Sequence, residues 1–198
     1  QVLARKGGQQ EKTSMAPAHS ADEKRRRYAQ WTTQGVEVTS VDVTDHAALI
    51  PALRGTDYLV SCVPYSATES QYPLIFAARE AGVERFVFFS AIGASRFQRT
   101  RFFRSKALAE EGVRESPLNT TIFAPSIVYD RDDPWAKIMR RLALLPVLPI
   151  SGSGQALYQP IWAHDVARCV IAALDGEGDA RYELAGPEVL SYGEMARL

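Results

Sequence analysis

Short apolar segments alternate with longer amphipathic segments along the first two thirds of this 198-residue chain. Four to eight consecutive residues with alternating or continuous apolar character predict strands, and five such segments occur, at residues 2–5, 36–43, 58–63, 85–90 and 120–124. The segments between them predict helices, at 22–33, 45–53, 70–81 and around Lys106. Strands that alternate with helices pair in parallel through right-handed crossovers. We therefore expect an α/β fold with a doubly wound parallel sheet.

The pattern loosens after Pro125. A helix is predicted over residues 135–145, a strand over 157–161, a helix capped by Asp165 and a strand over 181–184. Ser191 and Glu194 form a capping-box pattern that begins another helix. We expect residues 1–125 to form the core and residues 126–198 a smaller C-terminal region of the same domain.

Composition removes several classes of function. Lysine plus arginine equals aspartate plus glutamate, at 23 each, so net charge gives no reason to expect nucleic acid or an anionic membrane as a partner. No apolar run approaches the roughly 20 residues of a membrane span, and no metal-ligand spacing is present. Cys62 and Cys169 lie in apolar segments and are predicted to be buried free thiols. A reducing compartment fits, either the cytoplasm or an organelle matrix.

Ser90 and Lys106 are the best-placed polar pair in the sequence. Ser90 ends the apolar strand at 85–90, and Lys106 lies on the helix that follows. Lys106 either contacts a ligand or is a surface lysine paired with Glu110 at i+4.

Seven segments in order resemble the atypical short-chain dehydrogenase/reductases, in the NmrA-like branch that also includes a respiratory complex I accessory subunit. These segments are GVEVTSVDVTD, LRGTDYLVSCV, AAREAGVERFVFFSAIGA, FFRSKALAEEGVRES, TTIFAPSIVYD, ALYQPIWAHDVARCVIAAL and YELAGPEVLSYGEMA. The resemblance covers nearly the whole chain. It implies a Rossmann-like domain that binds a nicotinamide cofactor over residues 1–125, with a substrate-side region after it.

The family begins with a strand and a Gly-x-x-Gly-x-x-Gly turn that this sequence lacks. The resemblance therefore matches the strand at 2–5 to the family's second strand, and we expect the chain to be a fragment of a longer protein that binds cofactor weakly by itself. The absent strand would lie between the strands at 2–5 and 58–63. We expect those two strands not to pair, with a strand-wide space between them.

The resemblance assigns the adenine side of the cofactor to two strand ends. Arg5 and Lys6 would hold the 2′-phosphate of NADP, which makes NADP the preferred cofactor and NAD the other possibility. The alternative is two solvated charges. Asp42 would meet the adenine amino group and Val43 would pack near the ring, whereas Asp45 is expected to cap the next helix.

The resemblance assigns the nicotinamide side to two further strand ends and one helix. The strand-end residues are Cys62, Val63 and Pro64 along the ribose and Pro125, Ser126 and Ile127 along the carboxamide. Ser90 and Lys106 would be the catalytic pair and would also contact the cofactor.

Phe102 stands where the family has its catalytic tyrosine, so the usual proton donor is absent. Two functions follow from the resemblance. One is a reductase of a small carbonyl or quinone, in which Tyr65 could donate the proton. The other is a non-catalytic protein that binds NADP(H) as a redox sensor, accessory or assembly factor and acts through a protein partner. The missing tyrosine favours the second.

Overall fold

The computed structural model describes residues 2–4, 21–63, 71–131, 133, 137–138, 141, 153–176 and 180–195. Several predictions fall outside these ranges. They concern Arg5, Lys6, Pro64, Tyr65 and most of the predicted helix at 135–145.

Ten strands and six helices are found in the described residues. The strands are β1 (Val2–Ala4), β2 (Val38–Ser40), β3 (Tyr58–Ser61), β4 (Arg85–Phe89), β5 (Asn119–Pro125), β6 (Val128–Tyr129), β7 (Leu157–Tyr158), β8 (Ile161–Trp162), β9 (Ala180–Leu184) and β10 (Leu190–Ser191). The helices are α1 (Ala21–Thr33), α2 (His46–Leu53), α3 (Gln71–Glu80), α4 (Arg101–Arg114), α5 (Ala163–Leu174) and α6 (Tyr192–Met195).

The main sheet has four parallel strands in the order β3-β4-β5-β9. Its register aligns Ser61 with Phe88 and Phe89 with Phe123, and it aligns Pro125 with Leu184. Helices α3 and α4 connect β3 to β4 and β4 to β5, as the alternating pattern predicts. The α/β class with a parallel sheet is confirmed.

The strand predicted at 36–43 does not belong to this sheet, which corrects the expectation of one sheet. It is reduced to β2, which pairs in parallel with β1 in a separate two-stranded sheet. The strand ends early because a turn follows Ser40. In this turn Asp42 Oδ1 accepts a hydrogen bond from Thr44 N at 2.9 Å, and Asp42 O accepts one from Asp45 N at 3.0 Å. This turn ends the extended backbone early.

The strands β1 and β3 share no ladder in the part of the chain that the structure describes. This agrees with the expectation that they do not pair. The width of the space between them stays a prediction, as does the division of the chain at residue 125.

Helices α2, α3 and α4 pack on one face of the main sheet and form its core. The largest buried members share less than 2% exposure and are Phe86, Phe88, Leu49, Leu53, Leu74, Ile122 and Val113. Phe86 and Phe88 are two residues apart on β4, so period two sends both rings to the helix side. This apolar layer packs α4 against β4. It thereby fixes the position of α4 along the strands, and with it the residues of α4 that lie near the strand ends.

Helix ends follow side-chain capping at two of three predicted positions. Asp45 Oδ1 accepts from Ala48 N at 3.1 Å, and Ser191 and Glu194 form a reciprocal capping box, with Ser191 N donating to Glu194 Oε2 at 2.7 Å and Glu194 N donating to Ser191 Oγ at 3.2 Å. Asp165 is not the cap of α5. The helix begins three residues earlier than a cap at Asp165 would place it, with Trp162 at the N-cap, so Asp165 lies in its first turn, where a carboxylate still favours the helix dipole.

The strand predicted at 157–161 is two short strands with different partners. β7 pairs antiparallel with β10, and β8 pairs in parallel with β6. Pro160 lies between β7 and β8 and has no N–H to donate to a ladder, so one continuous strand is not formed there. None of the described helices has the length and apolar character that a membrane span requires.

Candidate functional site

The carboxyl ends of the main strands form one edge, because parallel strands all point the same way. Backbone hydrogen bonds join these ends laterally. Ser90 N donates to Phe123 O at 2.7 Å, Ile92 N donates to Pro125 O at 3.1 Å and Ser126 N donates to Leu184 O at 2.8 Å. The loops after β4, β5 and β9 are therefore held side by side at the edge where a ligand would bind.

Lys106 reaches this edge from α4 and is 93% buried, with 7% of its surface exposed. Its Nζ donates to Phe89 O at 2.8 Å and to Val63 O at 3.3 Å, and it lies 5.2 Å from the centre of the Phe88 ring. A buried ammonium needs such partners, because desolvation of a charge is costly. Lys106 thus joins the ends of β3 and β4.

Burial and neighbouring groups shift the pKa values of Lys106 and Cys62 in opposite directions. Burial lowers the pKa of Lys106 below its usual value, and the neighbouring Cys62 and Glu110 raise it. Burial around the thiol raises the pKa of Cys62, and the Lys106 ammonium lowers it. The thiol group is desolvated although Cys62 as a residue is exposed.

The prediction of two buried cysteines is wrong in detail. Cys62 follows β3 and is exposed, and Cys169 on α5 is half-buried. Both are free thiols. Cys62 is exposed because β3 presents Tyr58, Val60 and Cys62 on one face, where Tyr58 and Val60 are also exposed.

Ser90 is buried at the end of β4, but its hydroxyl does not point to Lys106. Ser90 Oγ donates to Glu110 Oε1. The backbone of Ser90 belongs to the site edge, and its side chain is directed along α4. The structure therefore brings Ser90 and Lys106 to neighbouring positions without joining them directly.

Glu110 is a buried residue that the sequence analysis considered only as the i+4 partner of a surface Lys106. It is only 4% exposed, and its Oε2 accepts from Arg114 Nη2 at 2.8 Å and from Arg181 Nε at 3.0 Å. The surface interpretation of a Lys106–Glu110 pair is wrong, because both side chains are buried and each has other hydrogen-bond partners. The i+4 spacing indicated that they share a helix face, but not that the face is covered.

Phe102 lies one turn before Lys106 on α4 and is 37% exposed. Its ring makes an edge contact with Phe103 at a centroid distance of 5.0 Å. A benzyl ring has no ionisable proton, so the position provides shape and apolar surface without acid chemistry.

The segment after β5 is fixed by the C-terminal region. Ser126 Oγ donates to Gln159 O, and Ile161 N donates to Ile127 O at 2.9 Å. Gln159 Nε2 in turn donates to Gly186 O at 2.7 Å. Sequence reasoning missed Gln159, whose role depends on two loops distant in sequence. The Ser126 hydroxyl is thus occupied by a hydrogen bond within the protein. Pro125 and Ile127 lie beside it at the carboxyl end of β5.

The predicted adenine-side residues are not part of this cluster. Asp42 and Val43 follow β2, in the other sheet, where Asp42 is exposed and holds the Thr44 turn and Val43 is buried. Arg5, Lys6 and Pro64 lie outside the described residues. The site residues that the structure brings together are Cys62, Val63, Ser90, Lys106, Pro125, Ser126 and Ile127.

The chemistry of Lys106 fits a nicotinamide ribose. An ammonium has three N–H donors, and the two carbonyl bonds described above use two of them. The third suits a hydroxyl acceptor at the strand ends. Within the described ranges no group of three His, Cys, Asp or Glu side chains is close enough to hold a metal ion.

Comparison with known proteins establishes the family. A family model described as NAD(P)H-binding matches residues 16–177, so the chain belongs to this NAD(P)H-binding family. It is of the NmrA-like, short-chain dehydrogenase/reductase type, with a Rossmann-like fold.

Two curated relatives differ in kind. The chain is 32% identical over 131 residues, 63% of its length, to the mitochondrial NADH dehydrogenase [ubiquinone] 1 alpha subcomplex subunit 9 of Arabidopsis thaliana. It is 28% identical over 82% of its length to an NAD(P)H azoreductase of Xenophilus azovorans. The aligned regions cover 32% and 57% of those proteins, so the chain spans only part of the relatives it matches.

A solved structure supports the fold. A dTDP-glucose 4,6-dehydratase of Streptomyces venezuelae, crystallised with NAD, superimposes with a TM-score of 0.72 at 20% identity, over 87% of this chain and 65% of that one. Identity at this level is evidence for the Rossmann-like architecture alone.

Proposed function

We propose that this protein binds NADP(H) through the edge formed by β3, β4 and β5, and that it is at most a weak reductase. The observation that carries the proposal is Lys106, a buried ammonium whose carbonyl partners are the last residue of β4 and Val63, two residues after β3, together with Phe102 at the position of the family's tyrosine. The first feature suits cofactor binding. The second removes the acid that carbonyl reduction needs.

The proposal gives each group at the edge one task. Lys106 donates its third N–H to a hydroxyl of the nicotinamide ribose. Cys62 and Val63 line the ribose side, and the segment from Pro125 to Ile127 lines the carboxamide side. Bound NADPH would supply hydride. The protein's own contribution is to orient the ring and exclude water.

Proton supply limits the chemistry. General acid catalysis typically contributes about 10²–10⁴-fold to a rate, and Phe102 provides no acid. Tyr65 is the candidate donor for a small carbonyl or quinone substrate. The relationship to an NAD(P)H azoreductase supports keeping this weak reductase activity in the proposal.

The preference for NADP over NAD is part of the proposal and rests on Arg5 and Lys6. A guanidinium can make charge-assisted, bidentate contacts to a 2′-phosphate, whereas the free ribose of NAD offers no such anion. The presence of two basic residues, and not an acidic residue, after this strand supports a preference for NADP.

A second function is favoured by the relationship to subunit 9 of a mitochondrial NADH dehydrogenase. The protein would bind NADP(H) without turnover and act as a redox-sensing accessory or assembly protein through a protein partner. A location in the cytoplasm or an organelle matrix agrees with free thiols.

Binding and turnover measured on one preparation of the intact protein test the proposal. We expect NADPH to bind, as followed by its fluorescence, and to be oxidised slowly with small quinones and carbonyls. Absence of NADPH binding would refute the proposal. Fast oxidation would refute the weak-reductase part. Tyr65→Phe then separates the two functions, because it abolishes slow turnover only if Tyr65 donates the proton.

A further inference from the structure

Glu110 occupies an unusual position for a helix carboxylate. It is 96% buried in the middle of α4 and receives hydrogen bonds from three directions: the end of β4 through Ser90, the last turn of α4 through Arg114, and β9 through Arg181. Arg181 is 71 residues away in sequence. One carboxylate therefore joins two strands and a helix.

The adjacent residue provides a direct contrast. Glu111 also pairs with an arginine, Arg96, but its side chain is 33% exposed and that of Arg96 is 60% exposed. Exposed pairs of this kind contribute little. The Glu110 carboxylate, in contrast, is itself buried, with 6% of its side chain exposed, although the side chains of its partners Arg114 and Arg181 are 51% and 27% exposed. Glu110 and Glu111 thus share chemistry and helix but differ in burial.

The geometry connects Glu110 to the cofactor edge. Lys106 lies one helical turn before Glu110, and its Nζ donates to Phe89 O, the carbonyl of the residue that precedes Ser90. Ser90 in turn donates its hydroxyl to Glu110. α4 and the end of β4 are therefore joined twice within two residues of strand, once through Lys106 and once through Glu110.

We propose that Glu110 is a positioning residue of the nicotinamide site, which sets the place of Lys106 at the strand ends and couples it to β9 through Arg181. This inference rests on the proposed function, because it assumes that Lys106 contacts the cofactor. Arg181 on the outer strand β9 holds the Glu110 carboxylate by a hydrogen bond. Ser90 donates to the same carboxylate and connects it to the end of β4 at the edge of the site.

The test is an NADPH titration of the intact protein with Glu110→Gln and, as the matched control, Glu111→Gln. We expect Glu110→Gln to weaken NADPH binding by about tenfold or more and Glu111→Gln by less than about twofold. Both variants are first compared with the wild type by circular dichroism. Equal affinities for the two variants, with wild-type binding intact, would overturn the inference and leave the proposed function standing. Absence of binding by the wild type would refute the proposed function itself.

A pH series separates positioning from a general loss of stability. The titratable groups that act on Lys106 are the Cys62 thiol and the Glu110 carboxylate, and Glu110 raises the pKa of Lys106. Without that charge the pKa of Lys106 falls, so NADPH affinity should be lost at lower pH in Glu110→Gln than in the wild type. Cys62→Ala in both backgrounds removes the thiol's own titration. A uniform loss of affinity at every pH, with no displacement of the alkaline limb, would contradict the inference.

Arg181→Met provides a second variant in case Glu110→Gln does not fold. It leaves α4 unchanged and removes the link from β9. We expect it to weaken NADPH binding several-fold, and we expect the double variant to bind no more weakly than Glu110→Gln alone, since both changes interrupt the same link. Wild-type affinity in Arg181→Met would overturn the coupling to β9.

Discussion

The ammonium of Lys106 and the carbonyl of Phe89 are joined by a hydrogen bond of 2.8 Å, which ties the middle of α4 to the last residue of β4. Val63 O accepts from the same ammonium at 3.3 Å. A lysine on the surface of a helix keeps its ammonium in water. Lys106 is instead desolvated, and its two hydrogen bonds to backbone carbonyls offset part of that cost. The arrangement instead holds a charge with one remaining donor at the edge where the strands end.

Restoring the phenol should restore chemistry. Phe102→Tyr places an ionisable hydroxyl one turn before Lys106, whose positive charge would lower its pKa toward the working pH. We expect NADPH oxidation with a small quinone to rise by at least about tenfold, within the range of general acid catalysis. Steady-state absorbance at the NADPH band measures it.

Phe103→Tyr is the control for that variant, because it adds the same hydroxyl one residue away on α4. Its rate should stay at the wild-type level. A rise in both variants, or in neither, would show that Phe102 does not occupy the donor position.

Discrimination between cofactors should depend on Arg5. Arg5→Ala should weaken NADPH by about tenfold or more, because a charge-assisted contact to phosphate is lost, and NADH by much less. Competitive titration of both cofactors against the intact protein measures the difference. Arg79→Ala, an exposed arginine on α3, is the control. An equal loss for both cofactors would remove Arg5 from the phosphate site.

Gly186 should tolerate no side chain. A Cβ there would lie 1.8 Å from Pro160 O, in backbone that cannot move without breaking the Gln159 contacts. Gly186→Ala should therefore lower the free energy of unfolding by roughly 2 kcal/mol or more. Urea denaturation measures the change. Gly193→Ala, whose Cβ would meet its nearest atom at 3.5 Å, should be close to neutral. Similar stabilities for the two variants would contradict the close approach at Gly186.

Local features of the fold could be predicted from the sequence. The period-two and continuous apolar runs located β3, β4 and β5 to within two residues at each end. The Asp45 cap and the Ser191–Glu194 capping box were also predictable, because each depends on residues at most three apart. Lys106 was identified through the resemblance to the family, because it lies four residues after Phe102, where the family's Tyr-x-x-x-Lys motif has its lysine.

Features that depend on distant partners could not be predicted. Burial of Glu110 follows from Arg181, which arrives on β9 from far along the chain. The sequence leaves the Ser126 hydroxyl available to a ligand, whereas in the structure it donates to Gln159 O, 33 residues away.

The early end of β2 has a local cause that apolar periodicity does not register. The side chain of Asp42 accepts a hydrogen bond from Thr44 N, and this turn competes with extended backbone.

The most direct test of the account is the affinity of NADPH for Lys106→Ala, measured by equilibrium fluorescence titration of the intact protein. Arg104→Ala, an exposed arginine on the same helix, is the control. We expect wild type and Arg104→Ala to bind alike, and Lys106→Ala to bind about tenfold or more weakly, because a charged hydrogen bond to the cofactor is lost. Unchanged affinity in a folded Lys106→Ala would contradict the central claim, since Lys106 would then serve only to hold α4 to the strands.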